Sequence, residues 1–406
     1  MRIFISAGEP SGDLHAANLI KSLRERCPTG HFVGFGGPRM VEAGAEVIYP
    51  LVNLAVMWFV RVLLNIHKFL GIVAQADAYF RDHRPDAVVL IDYPGLHWWI
   101  AKKAKARGIP VFYYVPPQIW AWAGWRVKKV RRFVDHVLCS LPFEAAWYHE
   151  RGVLNAEYVG HPYFDELAER RIDEDFMKEE AAKGKPIVAI LPGSRTQEVT
   201  RNLPIMLRAA TLLKRTVPKT RFQVACLDDR HKAMVETIIA ETGCEIPIEV
   251  FSARTPEIIE LADMAWAVSG SVSLELMMEA LPTVVLYKVR RFDLIVARRF
   301  IKSKYISLVN LLADAELMPE YLTEVDVSKE LCGWAERWLG DPLERAKRSN
   351  ALAELRERVA VPGASDRAAD RILEVLKVAP TVYRGPHDPI ARESADRVAQ
   401  HSEGRD

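Results

Sequence analysis

The sequence predicts two α/β domains, each built on a Rossmann-like parallel sheet, facing each other across a cleft. Three observations carry this. The chain has 406 residues, more than one hydrophobic core usually holds. Short apolar runs alternate with helix-length amphipathic stretches along most of its length. That alternation breaks once, near residues 166–185, and then resumes.

In the first half, Ile3–Ser6, Ala87–Ile91, Val111–Val115 and Val134–Leu138 are short, largely apolar runs that read as buried parallel strands. Strands covered by helices on both faces have this composition. In the second half, Ile187–Leu191, Phe222–Cys226, Met264–Val268 and Thr283–Tyr287 repeat it. The stretch between the halves is charged and strand-poor and reads as a linker. The expected domains are therefore residues 1–170 and residues 186–378, the second including polar terminal helices. Residues 379–406 lack core-forming side chains and are expected to be disordered.

Composition narrows the class. Hydrophobic residues are 50% and charged residues 27%, as in a folded globular protein. The five cysteines are scattered with no metal-type spacing, so neither a zinc site nor a disulfide framework is expected, and a cytoplasmic setting fits. The start at Arg2-Ile3-Phe4-Ile5 has no secretory pattern, and no uncharged run is long enough to span a bilayer.

Ligands of open parallel sheets bind beyond the carboxyl ends of the strands, so the loops there matter most. The first strand runs into Gly8-Glu9-Pro10-Ser11-Gly12-Asp13-Leu14-His15. Its glycines permit close approach of a ligand, and Glu9, Asp13 and His15 bring polar groups together. In the second half, Gly193-Ser194-Arg195 opens a helix with backbone N–H groups and a forked cation, which suits a phosphate. A second loop, Ser269-Gly270-Ser271, leads to Glu275 about one turn into the next helix, where a carboxylate could accept from ribose hydroxyls. Two such loops in one domain point to a nucleoside diphosphate. Asp173-Glu174-Asp175 is a formal DxD, but it lies in the linker and reads as solvated charge, so neither a metal nor another cofactor is expected.

One segment reads as a membrane contact. Between Trp58 and Leu70 the polar positions 61, 65 and 68 form one narrow stripe, leaving Trp58, Phe59, Val62, Leu63 and Ile66 on an apolar surface. A buried core helix would show the same periodicity. Basic runs favour the membrane reading. Residues 126–132 carry five cations just after Trp120, Trp122 and Trp125, and Lys288–Lys304 carries seven against one acid. Such patches suit an anionic lipid surface. No nucleic-acid module accompanies them.

Successive blocks then carry a resemblance. Gly8-Glu9-Pro10-Ser11-Gly12-Asp13, Gly37-Pro38-Arg39-Met40, Leu54-Ala55-Val56-Met57, Trp120-Ala121-Trp122, Leu141-Pro142-Phe143-Glu144, Val159-Gly160-His161-Pro162, Leu191-Pro192-Gly193-Ser194-Arg195 and Tyr305–Leu312 occur in the order found in the lipid-A-disaccharide synthase family. The resemblance spans about residues 1–325. It implies an inverting GT-B glycosyltransferase, peripheral on the inner face of the cytoplasmic membrane. The implied donor is UDP-2,3-diacylglucosamine and the implied acceptor 2,3-diacylglucosamine 1-phosphate, with a homodimer left open. It implies that Arg195, Gly270, Ser271, Glu275 and Asn310 contact UDP, beside the backbone of Gly193 and Ser194, and that Glu9, Ser11 and Asp13 lie on the acceptor side, in the same loop as Gly8 and Gly12. Some members carry a carboxylate proposed as the base where this chain has Gly95. The base is therefore sought among Asp92, His97, Asp13 and Glu9. Two rivals stand beside this reading: an isomerase like UDP-N-acetylglucosamine 2-epimerase, and an inactive lipid- or nucleotide-binding relative.

Overall fold

The structure, a computed structural model, describes residues 1–52, 66–291 and 303–377. The chain forms two compact units, residues 169–360 making the second and the remainder the first. Trp58, Phe59, Val62 and Leu63 lie outside the described residues. Ile66 opens the helix Ile66–His83, and the expected tail lies outside the described residues from residue 378.

The first unit holds seven parallel strands: β1 Arg2–Ala7, β2 His31–Phe35, β3 Glu46–Tyr49, β4 Ala87–Ile91, β5 Val111–Tyr114, β6 His136–Cys139 and β7 Ala156–Tyr158. Their order is β3-β2-β1-β4-β5-β6-β7. Ile3 pairs with Ala87 and Ile5 with Val89, so β1 and β4 lie at the centre, buried along nearly their whole length. Alternation sorts their side chains onto two faces. Phe4, Val88, Leu90 and Tyr113 meet the helices Ile66–His83 and Pro94–Ala106 through Ile72, Phe80, Trp98 and Ile100. Ile3, Ile5, Val89, Phe112 and Tyr114 form the other face, under Ala16, Leu19 and Ile20 of the helix Pro10–Arg26.

That helix covers only part of its face. The rest is covered by Ala368, Ala369, Ile372 and Leu373 of the helix Ala364–Val375, from the far end of the chain. This differs from the sequence expectation, which placed residues up to 378 in the second domain. The apolar stripe of this helix answers an open patch of the first sheet, and its polar side is tied down as well. Arg26 pairs with Asp366 at 2.8 Å and with Asp370 at 2.5 Å. Asp165 accepts from the backbone N–H groups of Gly363, Ala364 and Ser365 at 2.6–3.1 Å, filling the positive end of the helix.

The second unit holds six parallel strands: β8 Ile187–Leu191, β9 Arg221–Cys226, β10 Glu249–Ser252, β11 Met264–Ala267, β12 Thr283–Lys288 and β13 Glu320–Thr323. Their order is β10-β9-β8-β11-β12-β13. Leu203, Met206 and Leu207 of the helix Thr196–Thr216 pack on Val188, Phe222, Trp266 and Leu286. Much of the stretch expected as linker is helical. Asp173 caps the helix Glu174–Ala182 by accepting from Phe176 N, and buried Glu180 pairs with Arg221. The formal DxD is thus a helix start.

Each sheet reverses strand order once, between β1 and β4 and between β8 and β11. Crevices open at such switch points. The loops singled out from sequence follow these four strands.

Asp165→Ala should free three helix-end N–H groups and loosen the returning helix. We expect a loss of about 1–2 kcal/mol in urea unfolding. An unchanged midpoint would show that the apolar stripe alone holds the helix.

Candidate active-site loops at the two switch points

At the end of β4, Asp92 and Tyr93 both take left-handed backbone conformations, with φ of 49° and 50°. Two consecutive non-glycine residues of this kind cost about 1–3 kcal/mol each and persist only where the surroundings hold them. Here the Asp92 carbonyl accepts from His97 Nδ1 at 2.6 Å and from the Tyr113 hydroxyl at 2.9 Å. A carbonyl can only accept, so Nδ1 carries the hydrogen. Nε2 then accepts from the Ser6 hydroxyl, 3.0 Å away on β1. His97 is fully buried between the rings of Tyr93 and Tyr113. Burial pushes its pKa down to about 4, against the opposing pull of the Asp92 carbonyl.

His97, one of the candidate bases, has both ring nitrogens engaged and holds the Asp92–Tyr93 turn. Asp13, another candidate, is held in its loop as well. It is 2% exposed and accepts from Gly37 N at 2.8 Å, Arg39 N at 3.1 Å and Met40 N at 3.3 Å. Those donors lie at the start of the helix Pro38–Glu42, so Asp13 fastens the loop after β2. Glu9 stands half-buried at the N-cap position of the helix Pro10–Arg26, where its backbone carbonyl accepts from Asp13 N at 2.8 Å. Burial chiefly, and then the charge of Glu9, raise the Tyr93 hydroxyl pKa. Gly8 lies against that ring: a Cβ there would stand 2.2 Å from it. Gly12 packs on Ala7 and Ile91, and Ser11 is exposed. A Cβ at Gly95 would meet nothing within 4 Å, so its lack of a side chain is not forced by packing.

Sequence reasoning gave no role to Glu144, although it closes one of the quoted blocks. It is fully buried, accepting from Trp120 Nε1 at 2.9 Å and from Ser140 N and Leu141 N at 3.0 Å. Burial outweighs these donors and raises its pKa to about 7.

In the second unit, Gly193 has a φ of 119°, and a Cβ there would stand 2.5 Å from that of Glu198. The N–H groups of Ser194 and Arg195 do not point into open space. Both donate to Glu198 Oε2 at 3.3 Å, and Arg195 Nη1 reaches Glu198 Oε1 at 3.0 Å. The loop carries its own anion, an N-terminal capping arrangement that a phosphate would have to displace. Arg195 itself is well exposed.

After β11, Ser269 Oγ donates to Ile306 O and Ser273 Oγ to Gly270 O, both at 2.7 Å. Gly270 faces open space and Ser271 is exposed at the start of the helix Val272–Met278. Glu275 is nearly buried and pairs with Arg170 at 2.5 Å. Arg170 has no sequence signal beyond its charge. Asn310, expected at UDP, is fully buried: Nδ2 donates to Met318 O and to Glu320, and Oδ1 accepts from Met318 N, all at 2.7–2.8 Å. Glu320, which sequence reasoning missed, also accepts from Ile306 N and Ser307 N at 2.8 Å. Among the described residues no cluster of three or more His, Cys, Asp or Glu could hold a metal, and no helix is long and apolar enough to cross a membrane.

Two parallel-sheet units with loops gathered at both switch points define a protein of the GT-B type. Solved structures share this fold. Staphylococcus aureus MnaA in complex with UDP aligns with a TM-score of 0.64 at 12% identity, covering 95% of this chain and 99% of that one. Acinetobacter baumannii MurG aligns at 0.57 and 14%, covering 92% and 99%. Sequence is more specific. Residues 3–358 match the family described as lipid-A-disaccharide synthetase. The lipid-A-disaccharide synthase of Anaeromyxobacter dehalogenans strain 2CP-1 is 37% identical over 93% of this chain and 98% of its own. That of Myxococcus xanthus is 36% identical over 92% and 97%. The chain belongs to the lipid-A-disaccharide synthetase family and is a glycosyltransferase.

The His97 network predicts acid lability. The depressed pKa means that the folded state favours the neutral ring. Its contribution to stability is present above pH 6.5 and is lost as pH falls through about 4. Urea midpoints of the parent should drop across this window, and His97→Gln should show a shallower drop from a lower starting stability. Parallel curves would mean that His97 does not couple folding to protonation.

Proposed function

We propose that this enzyme transfers the diacylglucosaminyl group of UDP-2,3-diacylglucosamine to the 6-hydroxyl of 2,3-diacylglucosamine 1-phosphate. The products are UDP and the β-1,6-linked disaccharide 1-phosphate. The observation that carries this reading is family membership across 3–358. In the reaction the acceptor O6 bonds to the donor anomeric carbon as the bond to the UDP oxygen breaks, and the O6 proton passes to a base. The proposal assigns that base to Asp92, at the carboxyl end of β4, or to Glu9, in the loop after β1. Gly193, Ser194, Arg195, Gly270, Ser271, Glu275 and Asn310 are proposed to receive UDP, with Arg195 countering charge on the departing diphosphate. Its exposed guanidinium supports that role. UDP entry would exchange the Glu198 contact for a phosphate contact.

The acyl chains require access to lipid, and we place the enzyme at the cytoplasmic membrane surface. Trp99, Trp122 and Trp125 are 54%, 44% and 65% exposed. The Arg126 guanidinium lies 4.5 Å from the ring centre of Trp122 and 5.3 Å from that of Trp125. Exposed indoles beside cations suit an anionic bilayer interface. The isomerase alternative shares only the fold: UDP-N-acetylglucosamine 2-epimerase structures align at 11–12% identity.

UDP should be released only when both acyl-sugars are present. Release from the donor alone, or interconversion of UDP-N-acetylglucosamine, would overturn the synthase reading. Arg195→Ala should lower turnover about 100-fold or more and weaken UDP binding. Asp92→Asn and Glu9→Gln separate the base candidates. The base variant should lose about 100- to 10,000-fold in rate, keep UDP affinity, and lose the pH dependence on the acidic side of the profile. Near-parental rates in both would leave the proton to solvent or to the departing diphosphate.

A further inference from the structure

The second unit contains a cavity of about 480 Å³ that the loops above do not use, lined by Arg201, Lys288, Arg290, Arg291 and Glu324 with Val289 and Val325. Its walls come from three elements held together by hydrogen bonds. Buried Asn202, next to Arg201, accepts from Lys288 N at 2.8 Å and donates to Glu198 O at 2.7 Å, fixing the end of β12 to the helix Thr196–Thr216. Val289 N donates to Thr323 O at 2.9 Å, joining that same end to the segment after β13. The cavity is thus built by the framework rather than by flexible side chains alone.

Its charge is unbalanced. Four cations face one carboxylate, and among the described residues none of the four forms an ion pair. The nearby Asp326 is taken by Arg208 at 2.5 Å. Arg201 has only a weak 3.5 Å contact with Gln197. Like charges gathered in a concave wall raise the local potential and favour an anion, and forked guanidinium groups match phosphate oxygens. The one acid adds a second requirement. Among the described residues Glu324 Oε2 is buried with no hydrogen-bond partner. A buried carboxylate oxygen left unpaired is costly, and it calls for a donor from elsewhere. An oxyanion without a proton, such as sulfate, cannot supply one, whereas a hydroxyl on a group carrying a phosphate can.

We propose that this cavity is a second anion site that takes a phosphomonoester, holding the phosphate on Arg201, Lys288, Arg290 and Arg291 and a hydroxyl of the same molecule on Glu324. Arg201 follows Arg195 by six residues on one helix, a rise of about 9 Å. That spacing is enough for a phosphate separate from a diphosphate at Arg195. The site is a property of the second unit and does not depend on which sugars the enzyme joins.

Calorimetry on the full chain, saturated with UDP, tests it with sulfate and with glycerol 3-phosphate. Glycerol 3-phosphate should bind at one site and more tightly than sulfate. The double variant Arg201→Gln/Arg290→Gln should weaken it about tenfold or more, with UDP affinity unchanged as the check on folding. Glu324→Gln should erase the preference for glycerol 3-phosphate over sulfate. Sedimentation with vesicles containing lysophosphatidic acid, a phosphomonoester lipid with a free hydroxyl, identifies the source of the phosphate. Binding lost in the double variant assigns it to a lipid headgroup, and binding retained there assigns it to a soluble ester. The proposal is overturned if glycerol 3-phosphate does not bind, if saturating UDP excludes it, or if the double variant binds it as the parent does.

Discussion

The first unit depends on one carbonyl oxygen. Asp92 O is the acceptor on which His97, Tyr113 and, through His97, Ser6 converge. It holds two left-handed residues at the point where the central strands end. The turn sets Tyr93 beneath Gly8, which fixes how close the first loop comes to the fourth strand. Removing either donor would leave a buried polar group unpaired and would also release the strain that the turn stores. The network must be dry to work, and this explains why the imidazole at its centre is buried and neutral.

A second theme is the use of carboxylates as loop fasteners. Asp13, Glu144, Asp165, Glu198 and Glu320 each accept from two or more backbone N–H groups of a single loop or helix start. A carboxylate offers two oxygens and a charge that N–H groups favour, so one side chain can order a whole turn. Acids at strand ends therefore look alike in sequence whether they do chemistry or carpentry. This is why Asp13 reads as a candidate base while Glu144 and Glu320 attract no notice.

The central strands are legible because being covered on both faces demands uninterrupted apolar runs, as in Ala-Val-Val-Leu-Ile at 87–91. The edge strands β3, β7, β10 and β13 are short and partly exposed, and the three strand-forming residues of Glu46-Val47-Ile48-Tyr49 are too short a run to tell from a loop. The site loops are legible from glycines placed just after buried strands. Their internal wiring is not. Arg170 meets Glu275 across 105 residues and Arg26 meets Asp370 across 344, and no local pattern reports such distances. The bonds that Asn310 makes to Met318 and Glu320 are equally silent in its recognisable block.

The returning helix has a consequence for how the chain is made. Ile372 and Leu373 complete a face of the first sheet. During translation, residues 1–168 leave the ribosome long before that stripe exists. The roughly 190 residues between take about 10–40 s to synthesise at ordinary bacterial elongation rates. Throughout that interval Phe112, Tyr114 and Leu138 lack part of their cover. The half of the protein that emerges first is the last to be finished, and a nascent chain stalled before residue 372 would present an open apolar sheet to chaperones.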